Sequence, residues 1–276
     1  MIESQKNTIK IMGILNSTPD SFFMESRLID NNSIDLQKYK HADIIDVGFE
    51  SSRPGANPLS EKDEMIRLDN FLTHSPNFKQ TLSIDSYKPH VVKKALENGF
   101  NMINDIKGGG KDGEMLEIAA IFKCPIVLMH MLGNPLTMQI KPYYDNIMDE
   151  LKHFFEKKIE FAKSFGIEES QIIIDPGIGF GKRVIDNDII INNLRELKQF
   201  GVPLLIGISR KSFLSIDDDA AEDRLSATLG VTALAIKNGV DIIRVHDVIE
   251  TYRLLSVVSR IIHRKCIKEK MMTNEI

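Results

Sequence analysis

The sequence lacks several features that would define other classes of protein. It contains no tryptophan and only two cysteines, Cys124 and Cys266, which lie far apart and outside any CxxC spacing. We therefore expect neither a disulfide framework nor a zinc site, and both thiols are predicted to be structural. No run approaches the roughly 18 apolar residues of a membrane span, and the N-terminal residues show no signal-peptide pattern. These absences predict a cytoplasmic protein without membrane contact.

Charge of either sign is also not in excess. Lys and Arg number 35 against 39 Asp and Glu, which gives a net charge of -4 and no indication of nucleic-acid binding. Any cationic cluster must be local, which favours a small anionic ligand over a polyanion. The length of 276 residues fits one eight-fold α/β barrel, so a single domain over 1–276 is predicted.

Eight short apolar runs are present, and helical patterns separate them. They read KIMGILN, DIIDVGFE, TLSID, NMINDI, PIVLMH, IIIDPG, PLLIGISRK and DIIRVHD. Continuous apolar runs are typical of fully buried parallel strands, and eight of them alternating with helices predict a TIM (β/α)8 barrel. Helices are predicted near 60–74, 88–98, 112–122, 145–165, 187–200, 222–238 and 248–264, with caps that include Ser60 and Asp145. The first crossover, around SIDLQKYK, should hold only a short helix.

Nearly every run ends in a residue that can hydrogen-bond, ionise or bind an anion. These residues are Asn16, Glu50, Asp85, Asn104, Asp105, His130, Asp175, Lys211, Arg244 and His246. In α/β barrels the active site lies at the carboxyl ends of the strands. The sequence therefore predicts a site built from these side chains.

Carboxylates and an amide form one predicted cluster. Asp85, Asn104 and Asp175, with Asp46 as a further candidate, come from different strands and should converge in the barrel mouth. Such a set suits a ligand that presents several N–H groups, as guanidine-like heterocycles do. The alternative is that these side chains cap loops or pair with lysine.

Cationic groups form a second predicted cluster. Arg244 and His246 are two residues apart on one strand, so they share a face and could bind an anion. An ion pair with Asp241 or Glu250 is the alternative for Arg244. Lys211 could donate to a phosphate or a ring carbonyl, unless it is a solvated rim lysine.

The glycine-rich segment DPGIGFGK is not a P-loop. Gly177 and Gly181 are one residue too close, and Arg183 stands where the metal-binding hydroxyl belongs. Its glycines instead predict close backbone approach to a flat ligand, with Phe180 as a stacking surface. No GxSxG elbow supports a serine nucleophile.

Taken together, the strand-end motifs resemble those of the dihydropteroate synthase family. The matching segments are GILNSTPDSF, DVGFESSRPGA, SIDSYKP, INDI, LMHMLGNPLTMQ, DPGIGFGK, GISRKSF and RVHDVIET, in the family's order. The resemblance implies condensation of 4-aminobenzoate with (7,8-dihydropterin-6-yl)methyl diphosphate to give 7,8-dihydropteroate and diphosphate. It also implies Mg²⁺ as cofactor, a homodimer, and inhibition by sulfonamides.

Residue roles follow from the same resemblance, motif by motif. Asp85, Arg53 and Lys211 would be catalytic. The pterin would be held by Asp85, Asn104, Asp175, Phe180, Lys211 and Met129. The diphosphate would be held by Asn16, Ser52, Arg244 and His246, with Asn16 also binding the metal. The aminobenzoate site would comprise Phe22, Ser52, Pro54, Lys211 and Ser212.

Two loops differ from the family's usual pattern. After the first strand, Met24 stands at a usually acidic position, with Glu25 next to it, and two usual glycines are missing. In the second loop Ser52 replaces a threonine, and Phe49 replaces a glycine just before it. These changes leave open a catalytically weak pterin-binding paralogue, and the shared barrel leaves open a corrinoid-type methyltetrahydrofolate methyltransferase. A purely structural barrel would leave the converging charges unexplained.

Overall fold

The computed structural model describes residues 9–16, 34–50, 58–134 and 137–273, with side chains in the last helix described as far as residue 262. Each of the eight predicted apolar runs contains a strand. The strands are β1 (Lys10–Asn16), β2 (Ile44–Gly48), β3 (Thr81–Asp85), β4 (Met102–Asp105), β5 (Ile126–Met129), β6 (Ile172–Asp175), β7 (Leu205–Gly207) and β8 (Ile242–Val245).

All paired strands are parallel and form one sheet in the order β6-β5-β4-β3-β2-β1-β8-β7. A single bridge between Ile174 and Leu204 brings β6 to β7. The result is a nearly closed, TIM-like barrel in one α/β domain, as predicted. The exact domain limits of 1–276 stay a prediction.

The helices surround this barrel. In the described ranges they are α1 (Glu61–His74), α2 (Pro89–Glu97), α3 (Glu114–Phe122), α4 (Ile147–Ser164), α5 (Val184–Asn192), α6 (Leu225–Lys237) and α7 (Val248–Thr273). The first crossover contains only a 3-10 turn, Leu36–Tyr39, as expected. The predicted helix at 187–200 is instead α5 followed by a 3-10 helix, Leu194–Phe200. Among the helices found in these ranges, none is long and apolar enough to cross a bilayer.

The helix caps follow the residue types of the chain. Ser60 caps α1 by accepting from the backbone N–H of Asp63 at 3.1 Å, as predicted. The predicted cap Asp145 is wrong by one position, because Asn146 accepts from the N–H groups of Met148 and Asp149. Both residue types are good caps, so composition alone does not decide between them.

Strand alternation divides the buried side chains into two sets. Side chains such as Ile45 and Ile103 pack outward against the helices. A smaller inner cluster takes one side chain from each of seven strands: Met12, Ile44, Met102, Val127, Ile173, Leu205 and Ile242. Because side chains two residues apart share a strand face, the next inward layer toward the carboxyl ends is fixed by these positions. It contains Ile14, Asp46, Asp85, Asn104, Met129, Asp175, Gly207 and Arg244.

Phe49 belongs to the outer core rather than to that inner layer. Its side chain is fully buried and packs edge-on against Phe71 of α1, with ring centroids 5.7 Å apart. Its carbonyl accepts from Arg67 at 2.6 Å. The replacement of a usual glycine here therefore fills space between barrel and helix and places no bulk in the barrel mouth.

Candidate active site

A buried ionic network occupies the inner layer of the barrel mouth. The guanidinium of Arg244 donates from Nε to Asp46 Oδ2 at 2.6 Å and from Nη2 to Asp85 Oδ2 at 2.5 Å. Asn104 donates from Nδ2 to the same Asp46 oxygen at 2.9 Å. These four residues come from β2, β3, β4 and β8, so four strands are joined across the barrel. The predicted convergence of Asp46, Asp85 and Asn104 is thus observed.

The alternative ion pair for Arg244 is wrong. Asp241 pairs with Lys198 on the outside of the barrel, whereas Arg244 points inward to its two aspartates. Gly207 on β7 is the register partner of Arg244.

Burial and the neighbouring carboxylates act on the pKa of Asp85 in the opposite direction to Arg244. Burial raises its pKa to about 7, with Asp46 and Glu64 adding to the effect of burial and Arg244 opposing it. Proximity to two other carboxylates disfavours a third negative charge, while one guanidinium cannot fully offset both aspartates. A carboxyl that titrates near neutrality inside a barrel mouth is a candidate functional group.

Asp175 forms the other side of this layer. It is 6% exposed, and its Oδ1 accepts from the Gly177 N–H at 2.7 Å. Burial raises its pKa, opposed chiefly by Lys211. Burial in turn lowers the pKa of Lys211 to about 8, opposed by Asp175. Asp175 and Lys211 therefore interact through their charges. The hydrogen bond of the Lys211 ammonium goes to the Ile178 carbonyl.

Flat surfaces lie beside these charges. The Lys211 ammonium sits 4.5 Å from the centroid of the Phe180 ring. Met129 is buried at the end of β5, where it is the register partner of Asp175. Phe180 lies on the loop that follows Asp175.

Asn16 lies at the end of β1, next to Asp85. A Cβ placed on Gly48 would lie 3.8 Å from Asn16 Oδ1 and 3.5 Å from Asp85 Oδ2. An amide oxygen and a carboxylate oxygen therefore both face the position of Gly48. Both are hard oxygen donors of the kind that Mg²⁺ prefers.

His246 and Ser212 lie on the rim. His246 is exposed, and its Nδ1 is 3.0 Å from the hydroxyl of the buried Ser209. Ser212 is exposed at the start of a short 3-10 helix, Ser212–Leu214. The neighbouring Arg210 forms a two-bond ion pair with Asp247, at 2.7 and 2.9 Å. Arg244 therefore lies in β8 and points inward, whereas His246 lies just beyond the end of β8 and is exposed.

Four predicted site residues lie outside the described residues. They are Phe22, Ser52, Arg53 and Pro54, and the altered positions Met24 and Glu25 lie there too. Their roles remain predictions from the sequence.

A second ionic cluster was not expected from the sequence. Lys88 binds both Glu50 and Glu64, and all three side chains are nearly buried. Glu50 Oε1 also accepts from the backbone N–H of Leu59 at 3.0 Å and from Tyr87 at 3.1 Å. The sequence predicts Glu50 only as a strand end, and nothing in the local pattern indicates partners from two other segments.

Lys182 is the other buried ion that sequence reasoning did not select. It is 4% exposed and donates to His130 Nδ1 at 3.0 Å. Burial lowers the pKa of Lys182 to about 7, with Asp175 opposing. Burial and the nearby lysine lower the pKa of His130 to about 3. The sequence predicts His130 only as a strand-end residue, and in the structure its ring accepts from the buried Lys182 amine.

These features define a barrel enzyme whose mouth holds paired carboxylates, an amide and buried cations. A family model described as "Pterin binding enzyme" matches residues 12–246. The chain is 40% identical over 248 residues to a dihydropteroate synthase of Synechocystis sp., covering 86% of this chain and 85% of that protein. It is 38% identical over 263 residues to the dihydropteroate synthase of Escherichia coli K12, covering 92% of each.

Solved structures agree with these sequence relatives. The Yersinia pestis dihydropteroate synthase with a sulfonamide drug superposes with a TM-score of 0.81 at 36% identity, covering 91% of this chain and 94% of that one. The Xanthomonas albilineans dihydropteroate synthase with 4-aminobenzoic acid superposes with a TM-score of 0.79 at 32% identity, covering 92% and 93%. The chain therefore belongs to the pterin-binding enzyme family and, within it, to the dihydropteroate synthases, which are transferases.

Proposed function

We propose that the enzyme condenses 4-aminobenzoate with (7,8-dihydropterin-6-yl)methyl diphosphate, giving 7,8-dihydropteroate and diphosphate. The observation that carries this proposal is the polar layer across the barrel mouth, in which Asp46, Asn104 and Asp175 are buried and Asp85 and Arg244 are partly buried. A layer rich in acceptors matches the N–H groups on the edge of a pterin. Sequence relatives and structural neighbours with the same activity support the assignment.

The pterin would lie between the two loops that flank Asp175. Asp175 and Asn104 would accept from its guanidine-like edge, and Lys211 would donate to a ring acceptor. Phe180 and Met129 would pack against its faces, since Met129 is the register partner of Asp175 and the Phe180 ring lies beside Lys211. Asp85 would lie nearest the methyl carbon that reacts.

The diphosphate would bind at the rim. Arg244 and His246 on β8, Asn16 on β1, and Ser52 would hold it. Mg²⁺ fits this place, because the Asn16 amide oxygen and the Asp85 carboxylate oxygen both approach Gly48. The described residues contain no group of three or more His, Cys, Asp or Glu that could hold a metal by themselves. Asn16 would therefore share the ion with phosphate oxygens, a common mode for Mg²⁺. The ion would neutralise charge on the leaving diphosphate.

The aminobenzoate would bind on the β7 side. Lys211 and Ser212 border that side, and Phe22, Ser52 and Pro54 complete the predicted pocket. The Yersinia pestis neighbour is described with a sulfonamide drug, and the Xanthomonas albilineans neighbour with 4-aminobenzoic acid. We extend both ligand classes to this enzyme, with sulfonamides as competitors of 4-aminobenzoate.

The chemistry breaks one bond and forms another at the pterin methyl carbon. The C–O bond to diphosphate breaks, and the leaving group takes the electron pair. The resulting cation is stabilised by the Asp85 carboxylate, which acts through charge and not as a nucleophile. The amine nitrogen of 4-aminobenzoate then forms the C–N bond and loses a proton. Arg53 on the second loop would help to exclude water when both substrates are bound.

The enzyme is also proposed to form a homodimer and to act in the cytoplasm. Exposed apolar side chains on two adjacent helices support the dimer: Leu234 on α6 is 53% exposed, and Val257 and Ile261 on α7 are 47% and 59% exposed. Apolar groups at this density on neighbouring helices are typical of an interface between subunits.

A turnover assay tests the proposed reaction. Purified enzyme with Mg²⁺ should release diphosphate and form dihydropteroate in equal amounts, only when both substrates are present. Tight binding of the pterin diphosphate without turnover would identify a weak paralogue and contradict the proposal. Methyl transfer from methyltetrahydrofolate to a corrinoid would identify the methyltransferase alternative.

A further inference from the structure

The loop after β6 is held almost entirely by side chains. Four consecutive carbonyls each accept a hydrogen bond from a different side chain: Ile178 from Lys211, Gly179 from Gln139, Phe180 from Lys182 and Gly181 from Tyr144. The Gln139 and Tyr144 bonds measure 2.7 and 2.8 Å. Since the loop has no strand neighbour to fix it, these donors determine where its backbone lies.

Lys182 differs from the other three donors because it joins two loops. Its ammonium donates to the Phe180 carbonyl at 3.1 Å and to the His130 carbonyl at 3.3 Å. Its third bond goes to His130 Nδ1 at 3.0 Å. Three donors thus meet three acceptors in a site that is 4% exposed. The end of β5 and the loop after β6 are tied at one nitrogen atom.

No carboxylate forms an ion pair with Lys182 in the described part of the chain. Burying a cation among neutral acceptors costs stability relative to an apolar side chain of similar size. Lys182 therefore contributes through the position of the two segments that its three hydrogen bonds join, at His130 and at Phe180.

The two segments that Lys182 joins, around Gly177 and His130, are tightly packed. Gly177 has a φ of +66°, and a Cβ there would lie 2.0 Å from the His130 carbonyl oxygen. The His130 ring packs edge-on against Phe154, with centroids 4.9 Å apart. Because its Nδ1 accepts from Lys182, the ring proton of His130 must be on Nε2. A shift of either loop would break this arrangement.

We propose that Lys182 is a positioning residue that fixes the Phe180 loop against His130 and so sets the floor of the pterin site. The proposal rests on the proposed function for the identity of the ligand. Lys182 does not reach the inner layer; it acts through the carbonyl of Phe180, whose ring lies under Lys211. Binding of the pterin diphosphate should therefore depend on Lys182, and binding of 4-aminobenzoate should not.

Replacement of Lys182 by methionine tests this role in the full-length enzyme. The variant leaves the His130 and Phe180 acceptors without their donor, so the dissociation constant for the pterin diphosphate should rise about tenfold or more. The KM for 4-aminobenzoate should stay within about twofold. Lys198→Met is the matched control, because the half-buried Lys198 pairs with Asp241 on the outside of the barrel. Calorimetry measures the dissociation constant for the pterin diphosphate, and steady-state kinetics measure the KM for 4-aminobenzoate.

A second variant and a spectroscopic measurement distinguish loss of the Lys182 hydrogen bonds from misfolding. Lys182→Gln retains N–H donors without the charge, and its pterin affinity should lie between those of wild type and Lys182→Met. Imidazole nitrogen NMR should show His130 as the Nε2–H tautomer in wild type and a mixture of tautomers in Lys182→Met.

Three results would overturn the proposal. They are wild-type pterin affinity in folded Lys182→Met, an equal loss in Lys198→Met, or an unchanged His130 tautomer in both Lys182 variants. If the wild-type enzyme binds pterin but lacks turnover, the proposed reaction fails, and a selective loss of pterin binding in Lys182→Met still supports the positioning role.

Discussion

At the scale of single residues, the inner layer is charged and paired before any ligand enters. Arg244 lies between two aspartates, and Asn104 shares one of them. One oxygen of Asp46, Oδ1, is buried without a hydrogen-bond partner among the described residues. A buried ion pair of this kind contributes little net stability, so its value lies in orienting the arginine and in setting the charge of Asp85.

The pKa of Asp85 predicts a pH dependence of turnover. Because burial and the neighbouring carboxylates raise this pKa to about 7, Asp85 becomes neutral as the pH falls through that value and no longer stabilises a cation. The kcat/KM for the pterin diphosphate should therefore fall on the acid side of neutrality. In Asp46→Asn the pKa of Asp85 should drop, which moves the acid limb to lower pH. An acid limb at the same pH in wild type and Asp46→Asn would contradict this account. Asp69→Asn, on the surface of α1, is the control and should leave the acid limb unchanged.

His130 predicts a separate effect on stability. Its pKa is lowered to about 3 in the folded state, so between pH 6.5 and that value the unfolded chain binds a proton that the folded chain does not. Stability should therefore be full above pH 6.5 and be lost as the pH falls, by up to about 1.4 kcal/mol per pH unit. His130→Gln keeps an acceptor for Lys182 but removes this proton. Urea unfolding at pH 6.5, 5.5 and 4.5 should show a shallower loss in the variant, and equal slopes would refute the assignment.

Much of the site could be predicted from strand ends, but not all of it. Asn104 and Asp175 follow from alternation on buried strands, because each lies two positions beyond an inward apolar side chain and therefore also points inward. Asp85 follows from its place at the end of a buried strand. Lys182 and the cluster of Lys88, Glu50 and Glu64 could not, because they lie in or beside loops where no periodicity applies. Their burial depends on contacts between distant segments.

At the scale of elements, strand order and helix order follow directly from hydrophobic pattern. The run PLLIGISRK nevertheless yields only a three-residue strand, β7. The chain leaves the sheet after Gly207, where Arg210 adopts a φ of +57° and the Lys211 N–H donates back to the Ile208 carbonyl at 3.3 Å. Ile208 is fully buried, so the apolar run continues past the end of the strand and pattern alone overestimates its length.

Helix α1 offers a test at this scale. Ser60 accepts from the Asp63 N–H and donates to the Asp63 carboxylate at 2.6 Å. Ser60→Ala removes both bonds at an exposed helix start and should lower the free energy of unfolding by about 1 kcal/mol. The midpoint of urea denaturation measures this, and activity should be unchanged. Ser60→Asn should restore most of the stability, and a failure to do so would show that the cap is not the cause.

At the scale of the whole molecule, the barrel is paired everywhere except for one weak seam. Ladders join seven of the eight neighbouring strand pairs, and β6 meets β7 through one bridge. The seam lies beside the loop that Lys182 holds. Lys211, which follows β7, donates to the Ile178 carbonyl and so adds a side-chain contact across this seam.

The proposed dimer predicts a particle of twice 31.3 kDa in solution. Val257→Glu places a charge in the exposed apolar face of α6 and α7 and should shift the enzyme toward monomer. Ile121→Glu on α3 is the control, because that side chain is 75% exposed on a different side of the barrel. Light scattering after size exclusion measures both. A monomeric wild type, or a dimer that Val257→Glu leaves intact, would contradict the proposed interface.

The most direct test of the account is the rate of C–O bond cleavage in a single turnover. Enzyme in excess, with Mg²⁺ and the pterin diphosphate, is mixed with 4-aminobenzoate, and diphosphate release is followed in wild type and in Asp85→Asn. If Asp85 stabilises the cation through its charge, the variant should cleave about 100-fold more slowly or worse, with a far smaller change in pterin affinity. Asp69→Asn should match wild type. Cleavage in Asp85→Asn at the wild-type rate would contradict the central claim.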